Sequence, residues 1–104
     1  MTEVIEGTGR AIPLPDELRG FLPAQGSVEL QRDAPGKVHD FHRHPVDEVL
    51  LILEGSLAFT WDTGSRLCRA GDRIVLPAGT LHRSEATGEG AVYAIFVTPP
   101  APGA

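Results

Sequence analysis

Apolar and polar residues alternate with a period of two over most of the middle of this chain. Residues 27–32 alternate, with Val28 and Leu30 on one face. Ala34, Pro35 and Gly36 then make a turn. Residues 37–44 read as extended until Pro45 interrupts them. Residues 48–54 form a continuous apolar run that Gly55 breaks. Alternation resumes over 56–61, with Leu57, Phe59 and Trp61 on one side. A loop at 62–65 and a return strand at 66–69 complete a hairpin, with Asp62 as a turn residue. Further strands are expected at 73–76, closed by Pro77-Ala78-Gly79, at 82–86, and at 91–97. Short alternating runs bounded by turn residues predict strands, and many of them in succession predict a sandwich or a barrel.

Only one stretch reads otherwise. Between Pro13 and Pro23, Pro15-Asp16 can open a helical turn, but Gly20 and Pro23 close it at once. A short helix or irregular segment covering the core is expected there. The expected organisation is an irregular N-terminal segment packing on the barrel (1–26), one β-barrel (27–98) and a flexible tail (99–104). Twelve glycines and nine prolines in 104 residues agree with strands joined by turns.

Four side chains carry the candidate chemistry. His42 and His44 are two apart, so a strand presents both imidazoles on one face, roughly 6.6–6.8 Å apart at the backbone. Glu48 opens the next strand facing back toward them, and His82 follows the Pro77–Gly79 turn. Three imidazoles and a carboxylate suit a divalent transition metal (Fe, Mn, Ni, Zn, Cu or Co) and suit calcium poorly. Strand parity points His39 away from His42 and His44, so it is expected not to be a ligand. Asp40, which shares the parity of His42, is a weak candidate acid or base, as are Glu85 and Tyr93. Phe59 and Trp61 are expected in the core. Cys68 is the only cysteine, which excludes an internal disulfide, and it reads as a small apolar side chain.

The net charge of -5 and the lack of any basic run argue against a nucleic-acid surface. No apolar stretch nears the ~20 residues of a membrane span, and no membrane partner is expected. The start of the chain lacks the pattern of a signal peptide, so a cytoplasmic location is expected.

The spacing of these residues resembles the cupin superfamily. Its first motif is matched by Gly36, five residues, His42-Arg43-His44, three residues, Glu48, six residues and Gly55. Its second is matched by Gly71, five residues, Pro77-Ala78-Gly79, two residues, His82 and three more residues, but the closing asparagine is replaced by Ala86. The resemblance implies an all-β double-stranded β-helix, a jelly-roll-like barrel of two facing sheets. It also implies a metal inside near one mouth, held by His42, His44, Glu48 and His82. Ala86 cannot supply a hydrogen bond to the far side of a ligand imidazole, which leaves that partner to be found.

Inward parity for Glu48, Leu50 and Ile52, and for His82, Ser84 and Ala86, predicts a metal in a mostly apolar cup suited to a small organic ligand. Apolar Val49, Leu51 and Leu53 on the reverse face need cover too. A second subunit is expected to supply it, hence a homodimer. The expected function is a metal-dependent enzyme acting on a small oxygenated or carboxylated molecule, of dioxygenase, lyase or isomerase type. The alternative is a non-catalytic cupin that binds or senses a small ligand with the help of its metal.

Overall fold

Two strands are long enough to belong to two sheets at once. In the computed structural model, which describes residues 1–98, a single helical turn α1 (Asp16–Arg19) precedes six strands: β1 (Glu29–Asp33), β2 (Val38–His42), β3 (Asp47–Trp61), β4 (Gly64–Arg69), β5 (Arg73–Leu76) and β6 (His82–Thr98). The tail expected over 99–104 lies outside the described residues. β3 and β6 pair antiparallel along their whole lengths. The first half of β3 also pairs with β5 and its second half with β4. The first half of β6 pairs with β2 and its second half with β1. Two leaves result, β1-β6-β3-β5 and β2-β6-β3-β4, joined through the bends of β3 and β6. Leu50, Ile52, Leu76 and Tyr93 from one leaf pack with Leu57, Phe59, Cys68 and Ala86 from the other, so the leaves face each other across a common core. The expected all-β double-stranded β-helix is the architecture found.

The runs 48–54 and 56–61, read as separate strands, are one strand with a corner. Gly55 sits at that corner with φ 73°. A Cβ there would overlap the Gly90 carbonyl oxygen, so glycine is required by contact as well as by backbone conformation. The runs 82–86 and 91–97 are likewise one strand, turned at Gly88 and Gly90, both with positive φ. The β3–β6 register shifts on either side of Gly55, and inward parity changes with it. Even-numbered Leu50 and Ile52 face the core before the corner, and odd-numbered Leu57 and Phe59 face it afterwards. β6 makes the same change, from Ala86 to Ala91 and Tyr93.

A second apolar cluster lies on the reverse of the first leaf. Leu51, Ala94 and Phe96 pack there with Leu18 of α1, joined by Leu14, Phe21, Val28, Val49 and Leu53. Phe21 and Phe96 lie ring to ring with centroids 4.8 Å apart. The chain therefore covers Val49, Leu51 and Leu53 with its own N-terminal segment. The reason given for a second subunit on this face is removed, because the apolar surface that demanded cover already has it. No helix among the described residues is long and apolar enough to cross a membrane.

Candidate metal centre

Cross-strand pairing assembles the histidines. β2 sets His42 directly opposite His82 of β6, and β6 sets His82 opposite Trp61 of β3. His44 lies just beyond β2, where the Gly79 amide donates to its carbonyl oxygen at 2.8 Å. Nearby, the Ala78 amide donates to Asp47 Oδ1 at 2.7 Å. Those two bonds tie the loop after His44 to the Pro77–Gly79 turn and so hold His44 against His82. The ring centroids of the three histidines are 4.2 to 5.1 Å apart. Phe59 stacks on His82 from the core side, with centroids 5.6 Å apart and planes 20° from parallel.

Candidate ligand atoms of His42, His44 and His82 all lie within 4.8 Å of one another. Donors on opposite sides of an ion bound at 2.0–2.1 Å are about 4.2 Å apart, so modest ring tilts close the set. Hydrogen bonds already orient two of the rings. His42 Nδ1 donates to the Asp40 carbonyl at 2.6 Å, and His82 Nδ1 donates to the Thr80 carbonyl at 2.9 Å. A neutral imidazole that donates from Nδ1 keeps its lone pair on Nε2, the form a metal requires. Ala86 leaves no gap in this arrangement, because the backbone two residues before each histidine supplies the missing acceptor. Burial, first, and the neighbouring His42 and His44 push the His82 pKa below its usual 6.5, against the opposing pull of the Thr80 carbonyl and Glu48. His82 is therefore neutral at pH 7. The donor set fits a divalent transition metal.

Glu48 lies beside this group, with Oε1 3.9 Å from His44 Nδ1. That separation is too long for a hydrogen bond. The carboxylate faces the same cavity as the three imidazoles but falls outside their close group.

The cavity holds about 250 Å³. Leu50, Phe59, Ile95 and Val97 give it apolar walls, but Glu29, Gln31, His39, Ser84 and Tyr93 line it too. The expected apolar cup is thus half polar. Three of the polar residues come from positions read otherwise from sequence. His39 lines the cavity although simple alternation points it away: β2 carries a bulge between His39 and His42, which pair with Ser84 and His82 respectively. Asp40, expected to share the parity of His42, sits in that bulge and is exposed. Glu29 and Gln31 face inward from β1, while Val28 packs on the reverse face. Glu85 lies on the parity opposite to His82 and Ser84 and does not line the cavity. Cys68 is buried in the core, where burial pushes its thiol pKa up, in keeping with a structural side chain. A larger hollow of about 450 Å³ lies at the glycine corners. Arg32 alternates there with Glu54 and Glu89, and no histidine faces it.

Fold and site together define a small single-leaf-pair β-barrel with a histidine-rich cavity near one mouth. Residues 29–98 match the cupin domain family (Cupin_2), and the chain belongs to that family. Over 77 residues it is 34% identical to acireductone dioxygenase 1 of Nocardia farcinica, a stretch covering 70% of this chain and 37% of that protein. The chain spans about two fifths of the length of the curated relatives it matches. A solved structure of unknown function from Rhizobium leguminosarum is similar at 27% identity and TM-score 0.65, covering 70% of this chain and 69% of that one. A cupin-2 domain protein from Shewanella frigidimarina is similar at 25% identity and TM-score 0.58, covering 68% and 69%.

Proposed function

We propose that this protein is a metal-dependent enzyme acting on a small oxygenated or carboxylated organic molecule, with His42, His44, Glu48 and His82 holding a divalent transition metal. The observation that carries the reading is the convergence of three imidazoles, two of them fixed by backbone carbonyls in the tautomer a metal needs. Glu48, whose Oε1 lies 3.9 Å from His44 Nδ1 in the same cavity, is the fourth ligand of this reading. When bound, such a metal polarises an oxygen donor or, if redox-active, supports oxygen chemistry. The chain's own contribution is placement. Phe59 and Leu50 give the cavity apolar surface, and Ser84 and Gln31 give it hydrogen-bonding groups. A volume of about 250 Å³ limits the ligand to a small molecule, below the ~300–1,000 Å³ of drug-sized pockets. Among dioxygenase, lyase and isomerase chemistry, similarity to an acireductone dioxygenase puts oxygen chemistry first and makes acireductone the first substrate to assay.

Protein purified without added metal, then loaded with iron, nickel or zinc, tests the reading by elemental analysis and thermal unfolding. One equivalent should bind. A metal present at a hundredfold over its Kd stabilises by about 2.7 kcal/mol. For a domain near 100 residues that is a rise of roughly 10–20 °C at about 4–8 °C per kcal/mol. His44→Ala and chelation should each abolish the rise, together with oxygen uptake on acireductone. A His44→Ala protein that binds metal like the wild type would refute the site, and a metal-loaded protein that binds ligand without turnover would leave the sensing alternative.

A further inference from the structure

Asp33, at the end of β1, is 3% exposed and accepts three side-chain hydrogen bonds. Gln31 Nε2 donates at 2.9 Å, His39 Nε2 at 3.0 Å and the Tyr93 hydroxyl at 2.7 Å. Gln31, His39 and Tyr93 all line the cavity that holds His42, His44 and His82. Burial alone would push the Asp33 carboxyl up, but these donors outweigh it and hold the pKa below the usual 3.8. Burial, helped by Asp33, also raises the Tyr93 pKa far above its ordinary value, so the phenol stays a donor.

The cavity thus anchors its histidines in two ways. His42 and His82 donate from Nδ1 to neutral backbone carbonyls. His39 instead donates from Nε2 to an ionised, buried carboxylate, and its Nδ1 has no partner among the described residues. A neutral carbonyl stabilises an imidazolium only weakly, whereas an ionised carboxylate stabilises it strongly. His39 lies outside the group of close ligand atoms and is one-third exposed where it faces the cavity. The difference in anchoring implies a difference in task.

We propose that His39, backed by Asp33, is the proton acceptor of this cavity, serving a small ligand that carries an ionisable hydroxyl. The proposal rests on the metal-binding reading above, which supplies the place where the ligand's oxygen sits. In the step, the ligand O–H bond breaks, its electron pair stays on the ligand oxygen, and the proton bonds to His39 Nδ1. The imidazolium then lies against the Asp33 carboxylate, so the pair gains no uncompensated charge. Tyr93 and Gln31 position the carboxylate. Other charged or titratable groups facing the cavity are Glu29 from β1, Glu48 from β3 and the three clustered histidines.

Catechol bound to the zinc-loaded protein tests this without turnover. At about pH 8 a phenolic hydroxyl keeps its proton in buffer and an ordinary imidazole is neutral. Calorimetry in two buffers of different ionisation enthalpy counts the protons released to solvent. His39→Gln keeps a donor to Asp33 but lacks a basic nitrogen, and it should release one more proton per catechol than the wild type. Asp33→Asn should shift the count the same way, and Glu29→Gln should leave it unchanged. Equal counts in wild type and His39→Gln would overturn the role of His39 while leaving the metal site standing. A wild-type protein that takes up no zinc would overturn the metal reading and this proposal with it.

Discussion

Replacing Gly55 by alanine should cost far more than the same change at Gly36, although both glycines belong to the same motif and both have positive φ. Gly36 has φ 83° and no heavy atom within 4 Å of an added Cβ. Its substitution carries only the left-handed backbone penalty, about 1–2 kcal/mol, partly offset by the smaller entropy of the unfolded chain, about 0.4–1 kcal/mol. Gly55 has φ 73° and the same backbone penalty. Its Cβ would also overlap the Gly90 carbonyl oxygen and lie 2.9 Å from the Gly90 carbonyl carbon. Those atoms are backbone, so relief requires parting β3 from β6 at the corner where Gly55 pairs with Ala91 and Glu54 with Val92. Losing one or two ladder hydrogen bonds there adds about 0.5–1.5 kcal/mol each. With disturbed packing around Ala91 and Ile52, the total reaches roughly 3–5 kcal/mol, a large share of the ~5–15 kcal/mol typical of a domain. Urea unfolding followed by the fluorescence of Trp61, the single tryptophan, measures both variants. If Gly55→Ala and Gly36→Ala came within about 0.5 kcal/mol of each other, the contact argument would be wrong and only the backbone penalty would survive.

Two further outcomes follow from burial and charge. In the metal-free protein the His82 pKa lies below 6.5 when folded and near 6.5 when unfolded, so the unfolded chain takes up the proton first as pH falls. Stability should therefore be full above pH 6.5 and decline below it. A second decline should begin under pH 3.8, where protonation of Asp33 ends its contribution. His82→Gln should remove the first decline and keep the second, and urea midpoints measured from pH 8 to 3 would expose the idea if the first decline persisted. Leu18→Ser should loosen the N-terminal segment without unfolding the barrel, since that segment adds only the outer cluster. Limited proteolysis should then cut between residues 13 and 23, and sedimentation should show self-association through the uncovered Leu51 and Phe96. Unchanged cleavage and a monomer would show that α1 does not guard this face.

What was legible in the residues is what strand period and turn chemistry control. His42 and His44 share a face because they are two apart, and His82 meets them because Gly71, Pro77 and Gly79 place its strand. Gly55 and Gly88–Gly90 announced interruptions, but not that the strands continue around corners with their parity reversed. That reversal needs the register of β3 against β6, a long-range fact with no local signal. The bulge in β2 was hidden more completely. Asp40 and Phe41 are neither glycine nor proline, so strict alternation sent His39 outward and Asp40 inward, the reverse of the structure. β1 hid its inner face because Glu29, Gln31 and Asp33 look like solvent-facing residues until three donors are seen to converge on Asp33. The outer cover was half legible: Leu14, Leu18 and Phe21 follow a helical spacing, yet four residues of helix are too few to announce it.

The lining of the cavity carries two kinds of information. One part is built from residues the motif spacing requires, and it determines that a metal can be held. The rest of its polar lining includes Gln31, His39 and Tyr93, backed by Asp33 behind them; none of these belongs to the motif positions, and they decide what a ligand on that metal would meet. A neutral lining would leave the ligand's proton to solvent. A buried carboxylate that is already ionised, with one imidazole leaning on it, offers that proton a destination inside the protein. Exchanging Tyr93 for phenylalanine separates these contributions: it removes one of three donors to Asp33 and leaves the histidine cluster untouched. Metal affinity should then be unchanged, and the proton count on catechol binding should stay at the wild-type value rather than that of His39→Gln. A carboxylate relieved of one donor is more basic and still supports the proton inside the protein. A Tyr93→Phe protein with weakened metal binding would show that the two parts are not independent.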